Sequence, residues 1–176
     1  MTANDSATAT NASLASGQKL AVGDSAPDFA FPADARVPSL AAAKGQAVIV
    51  YFYPKDDTPG CTKEACGFQD NLPHFDSSHT LVIGVSRDDE ASHAKFSKKF
   101  SLTFPLAADI DGQICQAYGT WVEKSMYGKT YMGVERATFL IDPDGKIAAI
   151  WRNVKVDGHV QEVLAKARQL RQADAA

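Results

Sequence analysis

The sequence holds three cysteines, the side chains whose thiolates are its strongest nucleophiles: Cys61, Cys66 and Cys115. Two of them share one short stretch, and that stretch has the local order that makes a thiol reactive. A continuous apolar, β-branched and aromatic run, Ala47 to Tyr53, reads as a strand buried on both faces. Pro54 ends it, a loop follows from Lys55 to Gly60, and a helix begins at about Cys61. Free peptide N–H groups and the positive end of the helix dipole point at that position. Both favour a thiolate over a thiol, and a thiolate can attack the O–O bond of a peroxide to become a sulfenic acid. Thr58 lies three residues ahead of Cys61, where its hydroxyl can both accept and donate. Pro54, four residues ahead of Thr58, holds the end of the strand rigidly and shields the loop. An inert cysteine at a helix end is the rival reading of Cys61 taken alone.

The elements that must position these residues follow from hydrophobic period and turn chemistry. Phe68, Leu72 and Phe75 recur at helical spacing, which predicts one helix from about Cys61 to Ser77, kinked or shortened by Pro73. Thr80 to Ser86 is a second buried strand. Asp89 to Phe100 is a helix with Phe96 and Phe100 one turn apart, and Phe104 to Ala107 is a short strand. Gln113 to Tyr118 is a short helix closed by Gly119, and a hairpin or loop is expected around Gly128. Ala137 to Ile141 and Lys146 to Trp151 are strands joined by the turn sequence Asp142-Pro143-Asp144-Gly145. Asp157 to Arg171 is an amphipathic helix with Val160, Val163, Leu164 and Ala167 inward. Nearer the N-terminus, Pro27 to Phe31 is expected as an edge strand, and Ser39 to Lys44 as one helical turn ended by Gly45.

Alternation of strands and helices predicts an α/β domain: a largely parallel sheet flanked by helices, to which the last hairpin adds antiparallel edges. This order resembles the thioredoxin-like fold, with a central mixed β-sheet. The 176 residues suit a single domain. Residues 1–18, rich in Ala, Ser, Thr and Asn, read as a disordered extension, and 19–176 as the domain. A net charge of −3 gives no basic footprint for nucleic acid. Neither a run of roughly 18 apolar residues nor a secretory signal pattern is present, which places the expectation in the cytoplasm.

The stretch Pro54-Lys55-Asp56-Asp57-Thr58-Pro59-Gly60-Cys61 fits the P-x-x-x-T-x-x-C motif of the peroxiredoxins. The longer phrase YFYPKDDTPGCTKEACGF resembles the bacterioferritin-comigratory-protein subfamily, also called PrxQ. The likeness continues through LVIGVSRD and MYGKTYMGVERATFLIDPDGKI and covers about residues 19–170. It implies a thiol peroxidase that reduces hydrogen peroxide and organic hydroperoxides to water and alcohols. Cys61 is then the peroxide-attacking thiol, and Cys66, five positions on, is the partner that condenses with the sulfenic acid to form an intramolecular disulfide. The family's arginine falls on Arg136, beside the thiolate and the growing charge on the leaving oxygen. A thioredoxin-like dithiol protein would reduce the disulfide, with no metal or organic cofactor and with the protein as a monomer. Ser97 stands where some relatives carry an alternative resolving cysteine.

Residues i and i+5 of an intact helix lie roughly 8–9 Å apart between Cα atoms, and a disulfide requires less than roughly 7 Å. If Cys61 and Cys66 bond, the start of the helix must unwind. Other readings stay open: Cys66 as a small buried hydrophobe, Arg136 as a surface arginine, and Glu64 as a solvated side chain or a support for the loop. Cys115 reads as core. A disulfide oxidoreductase would carry C-x-x-C rather than C-x-x-x-x-C. A Cys–His hydrolase would pair Cys61 with His74, His79, His93 or His159, but no Asn or Asp is indicated to orient that histidine. A redox-sensing or chaperone module using the same thiols is the rival from another class, and catalytic turnover separates it from an enzyme.

Overall fold

The structure, a computed structural model, describes residues 19–175. The expected extension, residues 1–18, lies outside them. Strand β1 (Ala47–Phe52) is the centre of the sheet, and every one of its side chains is buried. It pairs in parallel with β2 (Thr80–Ser86), which in turn pairs in parallel with β3 (Leu106–Ala108). On its other side β1 pairs antiparallel with β6 (Ala137–Ile141), and β6 with β7 (Ile147–Trp151). The order is therefore β3-β2-β1-β6-β7, a mixed sheet of thioredoxin-like type. The last hairpin is not wholly at the edge as expected, because β6 is interior. A central strand apolar on both faces needs a hydrogen-bonded neighbour on each side, and β6, equally buried, supplies it.

The alternation of β1 splits the core. Ile49, Tyr51 and Tyr53 face α1 (Pro59–Asp70), α2 (Leu72–Ser77), α3 (Glu90–Phe100) and α5 (His159–Ala175). Val48, Val50 and Phe52 face α4 (Gln113–Ala117), a 3-10 turn at Ala41–Ala43 and the segment around Leu20 to Leu40. Tyr51 stacks on Phe68 of α1 with 4.5 Å between ring centroids, so the helix that carries the cysteines is bolted to the central strand. Strands β4 (Trp121–Met126) and β5 (Lys129–Val134) form the separate hairpin expected around Gly128.

Four further expectations are corrected. The single helix to Ser77 is two helices, broken at Asn71, whose side-chain amide donates to Gly67 O at 2.8 Å. Pro73, having no N–H to give, then sits in the first turn of α2, where none is needed. The start also moves: Thr58 holds the N-cap position and Pro59 is the first helical residue, so Cys61 is the third. Pro27 to Phe31 forms no strand of the sheet. It makes an isolated bridge, Ala30 to Ser39, backed by Phe31 N–H to Pro38 O at 2.9 Å. The third strand begins after Pro105, whose carbonyl still accepts from Gly84 N–H at 3.1 Å.

Candidate active site

The first turn of α1 presents Cys61 inward, and the residue is only 2% exposed. Arg136 reaches it from the junction of β5 and β6, with Nη2 donating to Cys61 Sγ at 3.3 Å. The same guanidinium donates from Nη1 to Glu64 Oε1 at 2.8 Å. Glu64 is one helical turn beyond Cys61 and fully buried, so the fork of Arg136 spans two residues of one helix face. A guanidinium can do this with both donors in one plane, and it lays positive charge against the sulfur.

Arg136 is held there by backbone. Val154 N–H donates to its carbonyl at 2.9 Å, and Glu135 N–H donates to Thr120 O at 2.7 Å. Arg152 pairs with Glu135 at 3.1 Å beneath the same turn. Gly60 makes the approach possible: a Cβ there would lie 3.3 Å from Arg136 Nη2. His159, at the start of α5, bonds Thr138 on β6 at 2.8 Å. Burial, then the neighbouring Arg136, push its pKa down to about 4, so it is neutral at pH 7.

The open question over Glu64 is closed by its burial. Desolvation raises its pKa to about 7, only partly countered by Arg136. Its second oxygen, Oε2, has no hydrogen-bond partner among the described residues, and the same is true of the buried Tyr51 hydroxyl. A lone carboxylate in a short polar stretch carries no sequence signal for this. Only its position, three residues after Cys61 on an inward-facing helix, could have suggested it.

The remaining candidates are placed less directly. The Thr58 hydroxyl donates to Lys55 O at 2.8 Å rather than to Cys61, which leaves its lone pairs free to accept. Pro54 ends the run before the loop and is itself exposed. The loop is anchored instead by Asp56, which is buried although it stands in a charged Lys-Asp-Asp run. Cys66 lies half-buried on the same intact helix as Cys61, and both are free thiols. Burial, and secondarily Asp70, raise the Cys66 pKa. Cys115 is fully buried in the opposite core cluster, as expected. The two buried histidines are engaged elsewhere, His159 with Thr138 and His93 with Asp56 and Ala107, so neither is poised as a base for Cys61. Among the described residues, no helix is long and apolar enough to cross a membrane.

Comparison with known proteins gives one family. Residues 22–150 match the AhpC/TSA family. A putative peroxiredoxin bcp of Coxiella burnetii is 50% identical over 146 residues, 82% of this chain and 97% of that protein. Peroxiredoxin Bcp of Escherichia coli K12 is 44% identical over 146 residues, 82% of this chain and 94% of its own length. Among solved structures, a mutant PrxQ of Xylella fastidiosa superposes with a TM-score of 0.78 at 38% identity, covering 91% of this chain and all (100%) of that one. The bacterioferritin comigratory protein of Xanthomonas campestris does so with a TM-score of 0.73 at 45% identity, covering 76% and 85%. The chain therefore belongs to the AhpC/TSA family and, within it, to the bacterioferritin-comigratory-protein (PrxQ) peroxiredoxins, which are peroxidases.

Proposed function

We propose that Cys61 is the peroxide-attacking thiol of an atypical two-cysteine peroxiredoxin that reduces hydrogen peroxide and organic hydroperoxides. The observation that carries this reading is the Arg136 guanidinium 3.3 Å from Cys61 Sγ, at a buried helix start. In the first step the Cys61 thiolate attacks one peroxide oxygen and the O–O bond breaks. The sulfur becomes a sulfenic acid, and the departing hydroxide or alkoxide takes up a proton to become water or alcohol. Arg136 and the backbone N–H groups of the first turn of α1 face the charge that grows on the leaving oxygen. Thr58 accepts from the peroxide through the lone pairs its hydroxyl keeps free. Pro54 fixes where the loop leaves the strand.

In the second step the Cys66 sulfur attacks the sulfenic sulfur, water departs and a Cys61–Cys66 disulfide forms. Both residues lie in α1, whose helical geometry holds their Cα atoms roughly 8–9 Å apart. The first turns of α1 must therefore unwind, which separates Glu64 from its buried neighbours. A thioredoxin-like dithiol then reduces the disulfide, and the helix reforms. An intramolecular bond of this kind needs no second subunit, so the cycle suits a monomer.

The test is intact mass after one equivalent of peroxide, with peptide mapping. Loss of two hydrogens located between Cys61 and Cys66 is expected. Cys61→Ser should abolish activity, and Cys66→Ser should permit one turnover and then stall with thioredoxin as reductant. Peroxidase activity retained in Cys61→Ser refutes the reading.

A further inference from the structure

Asp56 stands in the loop between β1 and α1, two residues ahead of Thr58 and five ahead of Cys61, yet it is only 7% exposed. Its carboxylate is the hub of a network drawn from four parts of the chain. Oδ1 accepts from the Tyr53 hydroxyl at 2.6 Å. Oδ2 accepts from the Ser92 hydroxyl at 2.8 Å and lies 2.7 Å from His93 Nδ1. Its backbone N–H donates to Asp88 Oδ2 at 2.9 Å, and that oxygen also accepts from the Ser86 hydroxyl at 2.6 Å. His93, 5% exposed on α3, places its other nitrogen, Nε2, 3.0 Å from the Ala107 carbonyl of β3.

The protons of His93 follow from its partners. A backbone carbonyl can only accept, so Nε2 carries a hydrogen. An ionised carboxylate can only accept, so Nδ1 carries one as well. The ring is then a buried imidazolium. Burial alone would lower its pKa, but the bond and charge of Asp56, followed by the Ala107 carbonyl and Asp88, bring it above the ordinary histidine value. Burial alone would raise Asp56. The hydrogen bonds from His93, Tyr53 and Ser92 outweigh that and hold it below the ordinary aspartate value. Asp56, Asp88 and His93 bring ligand-type atoms within 4.8 Å of one another. Those of Asp56 and His93 are already committed to the hydrogen bonds above, so a closed network rather than a vacant cation cage accounts for them.

We propose that Asp56 and His93 are positioning residues of the peroxide reaction: a buried aspartate–imidazolium latch that ties the loop carrying Thr58 and the first turn of α1 to α3 and β3. The next residue fits this role. Asp57 has φ 56°, a left-handed conformation that a non-glycine residue keeps when its neighbours hold it there. Asp57 is flanked by the anchored Asp56 on one side and by Thr58, with its hydroxyl bonded back to Lys55 O, on the other. Release of Asp56 frees that turn, and Thr58 and the N–H groups of the first turn of α1 lose their fixed placement against Cys61 and Arg136. Tyr53, Asp56 and Asp88 are the titratable groups that face His93 across the loop and the ends of β1 and β2. The latch is complete while Asp56 is ionised and His93 is protonated. It is lost on the alkaline side as His93 gives up its proton.

The inference rests on Cys61 as the reacting thiol, and two measurements keep the two claims apart. The first is on the reduced wild-type protein: the imidazole nitrogens are read by NMR at neutral pH, with neutral His159 as internal reference. Both nitrogens of His93 protonated is the expected result, and a neutral His93 tautomer overturns the latch. The second is the rate constant of Cys61 oxidation by hydrogen peroxide, measured in the Cys66→Ser background from pH 6 to 10 for His93→Gln, Asp56→Asn and the parent. The variants should react at least tenfold more slowly at pH 7, and His93→Gln should lack the alkaline fall of the parent. Folded variants that keep the parent's rate and profile overturn the proposal. Absence of Cys61 oxidation in the parent itself would instead refute the functional reading and leave the NMR result to decide the latch.

Discussion

Unwinding of α1 should be coupled to a proton through Glu64. In the folded helix Glu64 is buried, bonded through one oxygen to Arg136 and without a partner at the other, and its pKa is raised from the ordinary 4.5 to about 7. The groups that face it are Arg136 from the β5–β6 junction, Tyr51 from β1 and Cys61 from its own helix. Unwinding of residues 61–66 exposes Glu64 to water, where its ordinary value returns. The folded helix therefore binds the proton more tightly than the unwound segment. Its stabilisation is complete below about pH 4.5, declines as pH rises, and is lost by about pH 7. The difference is worth about 3 kcal/mol, or a few hundredfold in the opening equilibrium. Amide hydrogen exchange of residues 62–67, corrected for intrinsic rates, reads this directly. Cys61→Ser and Cys61→Ser/Glu64→Gln proteins would be compared, so that the thiol does not titrate. Glutamine keeps an oxygen for Arg136 but has no proton to lose. Protection in the protein that retains Glu64 should fall steeply from pH 4.5 to 7 relative to the Glu64→Gln protein. Parallel profiles refute the coupling. The same linkage predicts that disulfide formation after peroxide reaction is faster at pH 7 than at pH 5.

Other outcomes follow from the same geometry. Arg136→Lys keeps the charge but loses the fork that spans Cys61 and Glu64, so the rate constant for peroxide should fall about 100-fold in stopped-flow measurements. Gly84→Ala would place a Cβ 2.8 Å from Leu106 Cδ2 and 2.9 Å from Tyr51 Cζ, overpacking the sheet beneath the site. It should cost about 1–3 kcal/mol in denaturant unfolding. Cys115→Ala, in the opposite core cluster, should leave the peroxidase rate unchanged, and a large loss would give Cys115 a part in the chemistry.

Much of this was legible in the residues because the signals are local. The run Ala47 to Tyr53 can only be a doubly buried strand, and its observed span, Ala47–Phe52, differs by one residue. Thr80–Ser86 and Ala137–Ile141 have the bounds their apolar runs imply. The P-x-x-x-T-x-x-C phrase singled out Cys61, and the resemblance it carries singled out Arg136. Less legible was the break at Asn71. Pro73 signals an interruption, but a side-chain bond from Asn71 to Gly67 decides where it falls. Neither Pro27 to Phe31 nor β6 could be placed from its own residues, since pairing depends on which edge is free when the chain has collapsed.

The sequence by itself determined the candidate nucleophile, the helix that carries it and the spacing that forbids Cys61 and Cys66 from bonding within that helix. Those properties belong to a few adjacent residues and to backbone geometry. Only the tertiary structure decided the charges around the thiol. Glu64 and Asp56 look like ordinary polar residues in sequence. Glu64 becomes a buried carboxyl with a raised pKa because packing strips it of water, which Arg136, 72 positions away, only partly offsets. Asp56 becomes a buried carboxylate with a lowered one because His93, 37 positions away, meets it. Burial and partner charge set a proton's affinity, and both exist only once distant segments pack together.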